Sequence, residues 1–328
     1  RGCFVYSWDE FATMWVGIFR YLLREPRQPS GRGPVVASVT AGHPSHGTAA
    51  FGRIFAGPHL DVRRLPVTMP LPELVDGLNE CEPEILFGYP SALHQLTHEA
   101  ERGRLRIQPR RIIVTAEALL PETRAVIEQT WGVSVGSLYG TSEAGPTGIP
   151  CDLGQTHMSE DLVILEPVDA AGRPVPDGST SATVYLTNLY NRTLPMLRLE
   201  VTDEVTVLPG RCPCGSAHRM IADIAGRLDD YFHYGAVSVH PHVFRHALGS
   251  RAPIVEYQVR QVPAGADIDV RCVAPLDLVS LTDEIVRALR SLGLGDPLVT
   301  IRPVDGLDRG VGGKLKRFIP LVPASCLS

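Results

Sequence analysis

Between residues 72 and 139, short apolar runs alternate with amphipathic segments, and this alternation restricts the fold more than any other feature of the chain. Residues 72–80 read as a helix with Pro72 near its start, where the missing N–H is one the helix would not use. Ile85-Leu86-Phe87 reads as a buried strand, residues 91–102 as a helix with Ser91 as N-cap, and 111–115 as a strand. Residues 121–130 read as a helix and 133–139 as a strand. Strands separated by helices at this spacing indicate an α/β domain with a largely parallel sheet. Upstream, residues 8–23 form an amphipathic pattern with Phe11, Trp15, Ile18, Phe19 and Leu22 on one face, and 35–39 is a short β-branched run.

The pattern changes from about Asp161. Residues 161–166, 183–187 and 204–208 read as short strands separated by Gly, Pro and Asp turns, which predicts a β-rich subdomain over about 151–225. A second shift falls at Gly226-Arg227-Leu228-Asp229-Asp230. Beyond it come a strand, a helix over 281–292, a strand over 298–302 and a polar glycine loop. The expected organisation is a large α/β domain over 1–226 and a small α+β domain over 227–328.

Composition excludes some functions. The chain has 328 residues, with 31 Lys and Arg against 36 Asp and Glu, so its net charge of −5 favours neither nucleic acid nor an anionic membrane as partner. No apolar run is long enough to span a bilayer, and no signal-peptide pattern is present, so a cytoplasmic location is expected. Seven cysteines, an odd number, do not suggest a secreted disulfide framework. The chain starts at Arg1 rather than Met and opens directly on the apolar stretch Cys3-Phe4-Val5-Tyr6-Ser7-Trp8, so a preceding segment is expected.

Two short motifs carry chemistry. Tyr139-Gly140-Thr141-Ser142-Glu143 places hydroxyls and a carboxylate where the 133–139 strand ends, and ligands of open α/β sheets bind beyond the carboxyl ends of the strands. Thr141 and Ser142 can donate to a phosphate, and Glu143 can hold a Mg²⁺ that bridges phosphate oxygens. Gly313-Lys314-Leu315-Lys316-Arg317 puts Lys314 on a glycine loop. Each motif also reads as an ordinary polar turn or a solvated basic tail.

Order raises their weight. Phe87-Gly88-Tyr89-Pro90-Ser91 and Thr115-Ala116-Glu117 each follow a strand, Asp203 closes the segment from Leu197, and Arg227 and Asp229 lie at the domain shift. This ordered set resembles the adenylate-forming superfamily of acyl-CoA synthetases, and within it the phenylacetate-CoA ligase family. The resemblance covers nearly the whole chain and implies an ATP-dependent carboxylic acid–CoA ligase that works through an acyl-AMP. It implies that Thr115, Ala116 and Glu117 lie against adenine, although the family usually has glycine where Thr115 stands. It further implies that Tyr139 stacks on adenine, Thr141 holds the α-phosphate and Glu143 the Mg²⁺. Gly140 and Ser142 complete that loop, Asp203 binds the ribose hydroxyls and Arg227 contacts ribose or phosphate. Asp229 would be the hinge of the small domain, and Lys314 would contact the acid and phosphate during adenylation.

One expected part is absent: the family's Ser/Thr/Gly-rich phosphate loop would precede Tyr6-Ser7-Trp8-Asp9-Glu10. Two alternatives stay open beside the CoA ligase, the second of them because of that loop. One is an enzyme that loads a carrier-protein thiol. The other is a non-catalytic protein that binds a nucleotide or acyl-AMP. Relatives suggest a homodimer.

Cys151, His157, Cys212 and Cys214 form a separate set, Cys-x₅-His in one loop and Cys-x-Cys in another, with the ligand types of a closed structural zinc site. His218 is a reserve ligand. The same residues also read as buried thiols beside an unrelated histidine. His43 and His46, in a Gly/Pro loop, read either as lining an acyl pocket or as surface histidines. Phe87, Tyr89, Gly136 and Ala144 either shape a pocket for a ring-bearing acid or serve as core.

Overall fold

Ile85-Leu86-Phe87 and Ile112-Ile113-Val114 are apolar without interruption because both faces of the strands they form are covered, as parallel sheets require. In the computed structural model, residues 4–22, 33–41, 60–222, 224, 231–239, 241–249, 251, 253–309 and 315–321 are described. They fall into two units, the described residues of 4–224 and those of 231–309 and 315–321, each taken by itself below.

The first unit begins with helix α1 (Trp8–Leu22). Strands β1 (Val35–Val39), β2 (Asp61–Arg64), β3 (Ile85–Gly88), β4 (Arg111–Thr115) and β5 (Val135–Thr141) follow, with helices α2 (Leu71–Cys81), α3 (Pro90–Glu101) and α4 (Pro121–Trp131) between them. These strands pair in parallel in the order β2-β1-β3-β4-β5. Side chains alternate across the sheet, as the two-residue period of a strand dictates. Ala37, Val39, Leu86, Ile112, Val114 and Val135 pack against α2, α3 and α4 through Leu78, Leu93, Leu96 and Ile127. Val36, Ile85, Phe87, Ile113 and Leu138 pack against Met14, Trp15 and Ile18 of α1.

Beyond β5 the sheet changes direction. Strands β6 (Gly145–Pro150), β7 (Thr156–Met158), β11 (Val207–Leu208) and β12 (Met220–Ile221) extend it with antiparallel pairs in the order β5-β6-β7-β12-β11. A separate three-stranded antiparallel sheet comprises β8 (Val163–Val168), β9 (Thr183–Asn188) and β10 (Leu199–Val201). The expected α/β architecture with a β-rich part is present.

Several boundaries differ from expectation. Helix α3 starts at Pro90, with Tyr89 rather than Ser91 as its N-cap, because proline supplies the favoured first helical residue. Strand β5 runs through Thr141 instead of ending at Tyr139, since its last residues pair with β6. Residues 204–208 yield only the two-residue β11.

The second unit has a hairpin of β13 (Phe232–Tyr234) and β14 (Val237–Val239), then helix α5 (His242–Gly249). A four-stranded sheet follows in the order β17-β16-β15-β18: β15 (Ile254–Val262), β16 (Gly265–Cys272), β17 (Leu298–Pro303) and β18 (Phe318–Ile319). Helix α6 (Leu278–Ser291) is capped by Asp277, whose side chain accepts from the Ser280 N–H at 3.0 Å. Phe232, Phe244, Val259, Ile268, Ile285 and Phe318 share its core.

Candidate functional site

The register of the parallel strands brings three expected segments to one edge. Gly88 lies beside Val114, and Thr115 beside Leu138, so the residues after β3 and β4 and the end of β5 are neighbours. The Thr115 hydroxyl donates to the Leu138 carbonyl at 3.0 Å and is buried. Ala116 has φ +68°, a left-handed conformation costly for a residue with a Cβ and concentrated at functional sites. Glu117 turns back across the edge, and its carboxylate accepts from the Ser91 N–H at 3.1 Å. An acid at the first turn of α3 also matches the positive end of the helix dipole.

Tyr139 and Asp203, matched separately to adenine and ribose roles, are bonded to each other. The Tyr139 hydroxyl donates to Asp203 Oδ2 at 2.9 Å, and both residues are only 7% exposed. The Tyr139 ring belongs to an apolar cluster with Met158, Leu162, Val205 and Ile221. Gly140 and Ser142 are exposed, and the Thr141 hydroxyl accepts from the Ala144 N–H at 3.1 Å, which closes the turn into β6. Gly145 follows at φ +58°, and a Cβ there would lie 2.3 Å from Met14 Cγ, so only glycine lets α1 approach the turn.

Sequence reasoning missed the side chains that hold this turn. The Tyr6 hydroxyl donates to the Glu143 carbonyl at 2.8 Å and the Tyr190 hydroxyl to the Ala144 carbonyl at 2.9 Å. Burial pushes the Tyr6 phenol up to about 12 and raises Tyr190 as well, so both remain protonated donors at neutral pH. Glu10 is the other hidden member. It forms a capping box with Ser7 at the start of α1, accepting from the Ser7 N–H at 2.7 Å while Ser7 Oγ accepts from the Glu10 N–H at 3.3 Å. It also accepts from the Arg192 N–H at 2.8 Å and from the Thr193 hydroxyl at 2.7 Å. These bonds, the one from the Ser7 backbone first, bring the Glu10 carboxyl down to about 2. The Ser-x-x-Glu spacing is the one signal of this arrangement visible in the sequence.

Phe87, Tyr89, Gly136 and Ala144, read either as pocket or as core, are all buried. Tyr89 is fully buried and its hydroxyl accepts from the Ala41 N–H at 3.0 Å. Phe87 and Ala144 are buried, and a Cβ on Gly136 would lie 2.7 Å from Pro150 Cβ. His43, His46, Arg227, Asp229 and Lys314 lie outside the described residues.

At the far end of β6 the second constellation comes together. One ligand atom from each of Cys151, His157, Cys212 and Cys214 lies within 4.8 Å of every other, and all but Cys214 are buried. The Cys151 and Cys212 sulfurs are 3.9 Å apart, and Cys214 Sγ is 3.4 Å from His157 Nε2. Tetrahedral zinc with ordinary bond lengths puts two sulfurs about 3.8 Å apart and a sulfur and a nitrogen about 3.6 Å apart. The four residues fit such an ion. His157 Nδ1 lies 2.9 Å from the His218 carbonyl, so it carries the proton and Nε2 presents its lone pair to the thiols. His218, the reserve ligand, turns its ring instead toward Glu160 and Asp161, at 3.8 and 3.9 Å. Burial pushes the Cys151 thiol up to about 11. Burial acts the same way on Cys212, but hydrogen bonds from the Cys214 backbone and the neighbouring thiols outweigh it and the net shift is downward.

The sheet, the β-rich part and the small second unit are each of a kind found in solved acyl-CoA ligases. A 2-hydroxyisobutyryl-CoA ligase, solved in its postadenylation state in complex with R3-HIB-AMP, matches 97% of this chain and 70% of its own, with a TM-score of 0.71 and 18% identity. The sequence is more specific: the chain is a distant homologue of phenylacetate-coenzyme A ligases. The enzyme of Thermus thermophilus is 27% identical over 278 residues, 74% of this chain and 62% of that protein. The enzyme of Pseudomonas putida is 31% identical over 172 residues, 50% of this chain and 38% of that protein. The chain thus spans less than two thirds of the length of either ligase. No family model matches it. No helix among the described residues is long and apolar enough to cross a membrane.

Proposed function

We propose that the chain activates a carboxylic acid as an acyl-adenylate, with ATP as co-substrate, and passes the acyl group to a thiol. The ligases it resembles suggest an aryl acid of the phenylacetate kind and coenzyme A as acceptor. What supports this most is the convergence at one sheet edge of the Thr115–Glu117 turn, the Tyr139–Asp203 pair and the end of the strand that leads into Glu143.

In the first half-reaction an oxygen of the acid attacks the α-phosphorus of ATP, and pyrophosphate leaves with the electrons of the broken P–O bond. Residues 115–117 line the adenine, Asp203 accepts from the ribose hydroxyls, Arg227 contacts ribose or phosphate and Thr141 donates to the α-phosphate. Glu143 would hold a Mg²⁺, which neutralises charge between phosphate oxygens when bound. Lys314 would supply the positive charge that two approaching anions, acid and phosphate, require. In the second half-reaction the thiol sulfur attacks the acyl carbon and AMP leaves. By the resemblance, Asp229 would be the hinge at which the chain changes conformation between the two half-reactions. The corner of Cys151, His157, Cys212 and Cys214 would hold a structural zinc, since four protein ligands leave no position for water.

Acid-dependent exchange of labelled pyrophosphate into ATP, run with aromatic and aliphatic acids, tests the reading. Exchange with one acid class supports adenylation and identifies the substrate class. No exchange with any acid sinks the ligase reading, and AMP binding without exchange leaves a nucleotide-binding protein. Lys314→Ala is expected to abolish exchange while largely sparing thioester formation from supplied acyl-AMP. Equal loss of both steps would remove Lys314 from its role.

A further inference from the structure

Three side-chain donors from two distant stretches of chain converge on the carbonyls of one turn. Tyr6 donates to the Glu143 carbonyl at 2.8 Å, Tyr190 to the Ala144 carbonyl at 2.9 Å and Asn188 Nδ2 to the Glu143 carbonyl at 3.3 Å. The two phenol rings stack, with centroids 6.3 Å apart and 20° between their planes. The stretches also hold each other. Asn188 Oδ1 accepts from the Tyr190 and Asn191 N–H groups at 3.0 and 2.9 Å, and Asn191 Nδ2 donates to the Val5 carbonyl at 3.1 Å.

A turn joining two paired strands needs none of this, since the bond from the Ala144 N–H to Thr141 already closes it. The Glu143 side chain is the contrast. It is half-buried, yet among the described residues its carboxylate has no hydrogen-bond or ion-pair partner. A backbone held at consecutive carbonyls, with its one acid left open, fixes where the Glu143 side chain starts and so narrows the volume its carboxylate can reach. A carboxylate that starts from a held backbone has less left to order when a cation binds, and so loses less affinity to that entropy.

We propose that Tyr6, Asn188 and Tyr190 are positioning residues that aim the Glu143 carboxylate at the divalent cation of the bound nucleotide. This rests on the reading of the turn as a nucleotide site. The three residues act through the Glu143 and Ala144 backbone.

Tyr6→Phe and Tyr190→Phe keep the stacked rings and remove only the donors. The test uses the full chain and measures pyrophosphate exchange against Mg²⁺ concentration. A second readout is the water-proton relaxation enhancement of Mn²⁺–ATP bound to the protein. Each variant is expected to raise half-saturating Mg²⁺ about threefold to tenfold, the size of one lost hydrogen bond, with half-saturating acid changed less than about twofold. The Mn²⁺ enhancement should fall while AMP binding holds, and Glu143→Gln should reproduce both shifts with the tyrosines intact. Phenylalanine variants that keep normal Mg²⁺ and Mn²⁺ behaviour, while Glu143→Gln loses it, would overturn the proposal. So would slower exchange with lowered thermal stability and an unmoved Mg²⁺ requirement, which is a purely structural role. A native chain that neither exchanges pyrophosphate nor binds Mn²⁺–ATP instead removes the nucleotide reading, and the positioning role falls with it.

Discussion

The two ends of β6 are built on opposite plans. At its start, side chains from residues 6, 188 and 190 hold backbone carbonyls, and the acid of Glu143 is left without a partner among the described residues. At its end, backbone groups hold side chains: the His218 carbonyl fixes His157, and the Ser216 N–H points at Cys214 Sγ from 3.4 Å. The first plan leaves a carboxylate that no described residue occupies. The second closes four ligands around one point, which suits an ion that stays. One strand of six residues, about 20 Å long, separates them.

The contrast breaks most clearly at Glu143. Glu143→Gln is expected to slow exchange about a hundredfold at fixed Mg²⁺ while bound zinc stays unchanged by elemental analysis. Zinc loss in that variant would mean that the two ends are not independent. Cys151→Ser or Cys212→Ser should do the reverse, releasing zinc and lowering the melting temperature by about 5–10 °C, with AMP binding retained. A native protein that carries no zinc after purification in zinc-supplemented medium, and melts unchanged with chelator, would remove the second plan altogether.

The smallest effect concerns Glu10, which sharpens the first plan. Its carboxyl lies at about 2 in the folded protein, below its ordinary range. The unfolded chain therefore binds the extra proton first as pH falls, so the contribution is fully present above the unfolded pKa. It is lost as pH drops toward the folded value. The stability gap between the native chain and Glu10→Gln should be constant above about pH 5 and shrink steadily toward pH 2. Denaturant midpoints measured across that range check it, and a gap independent of pH would show that Glu10 is not held as described.

The sequence made the fold legible where burial is symmetrical. Ile112-Ile113-Val114 reads as a strand because both its faces must be apolar, whatever lies against them. The Cys and His corner was legible because spacing alone brings two short loops of ligand types into play. Chain order singles out Thr141, Glu143 and Asp203 as candidates, yet the bond between Tyr139 and Asp203 was not legible, since nothing local to either residue names the other. The braces were hidden for the same reason. Tyr6 and Glu143 are 137 residues apart, and Glu10 and Thr193 are 183 apart. Ser91 was misplaced as a cap because Pro90 had already set the start of the helix and Glu117, from the next turn, accepts from its N–H.

The Glu10 contact has a kinetic consequence. Loop closure over such a span is entropically expensive and is offset only after the intervening strands have paired. The parallel sheet can form from neighbours in sequence, whereas the seat of Glu143 waits for the first and middle parts of the chain to meet. Refolding followed by a fluorophore near residue 6 should therefore complete after the sheet's own signal. The turn would then be the last part of its unit to become competent, and the first to be lost when the unit begins to open.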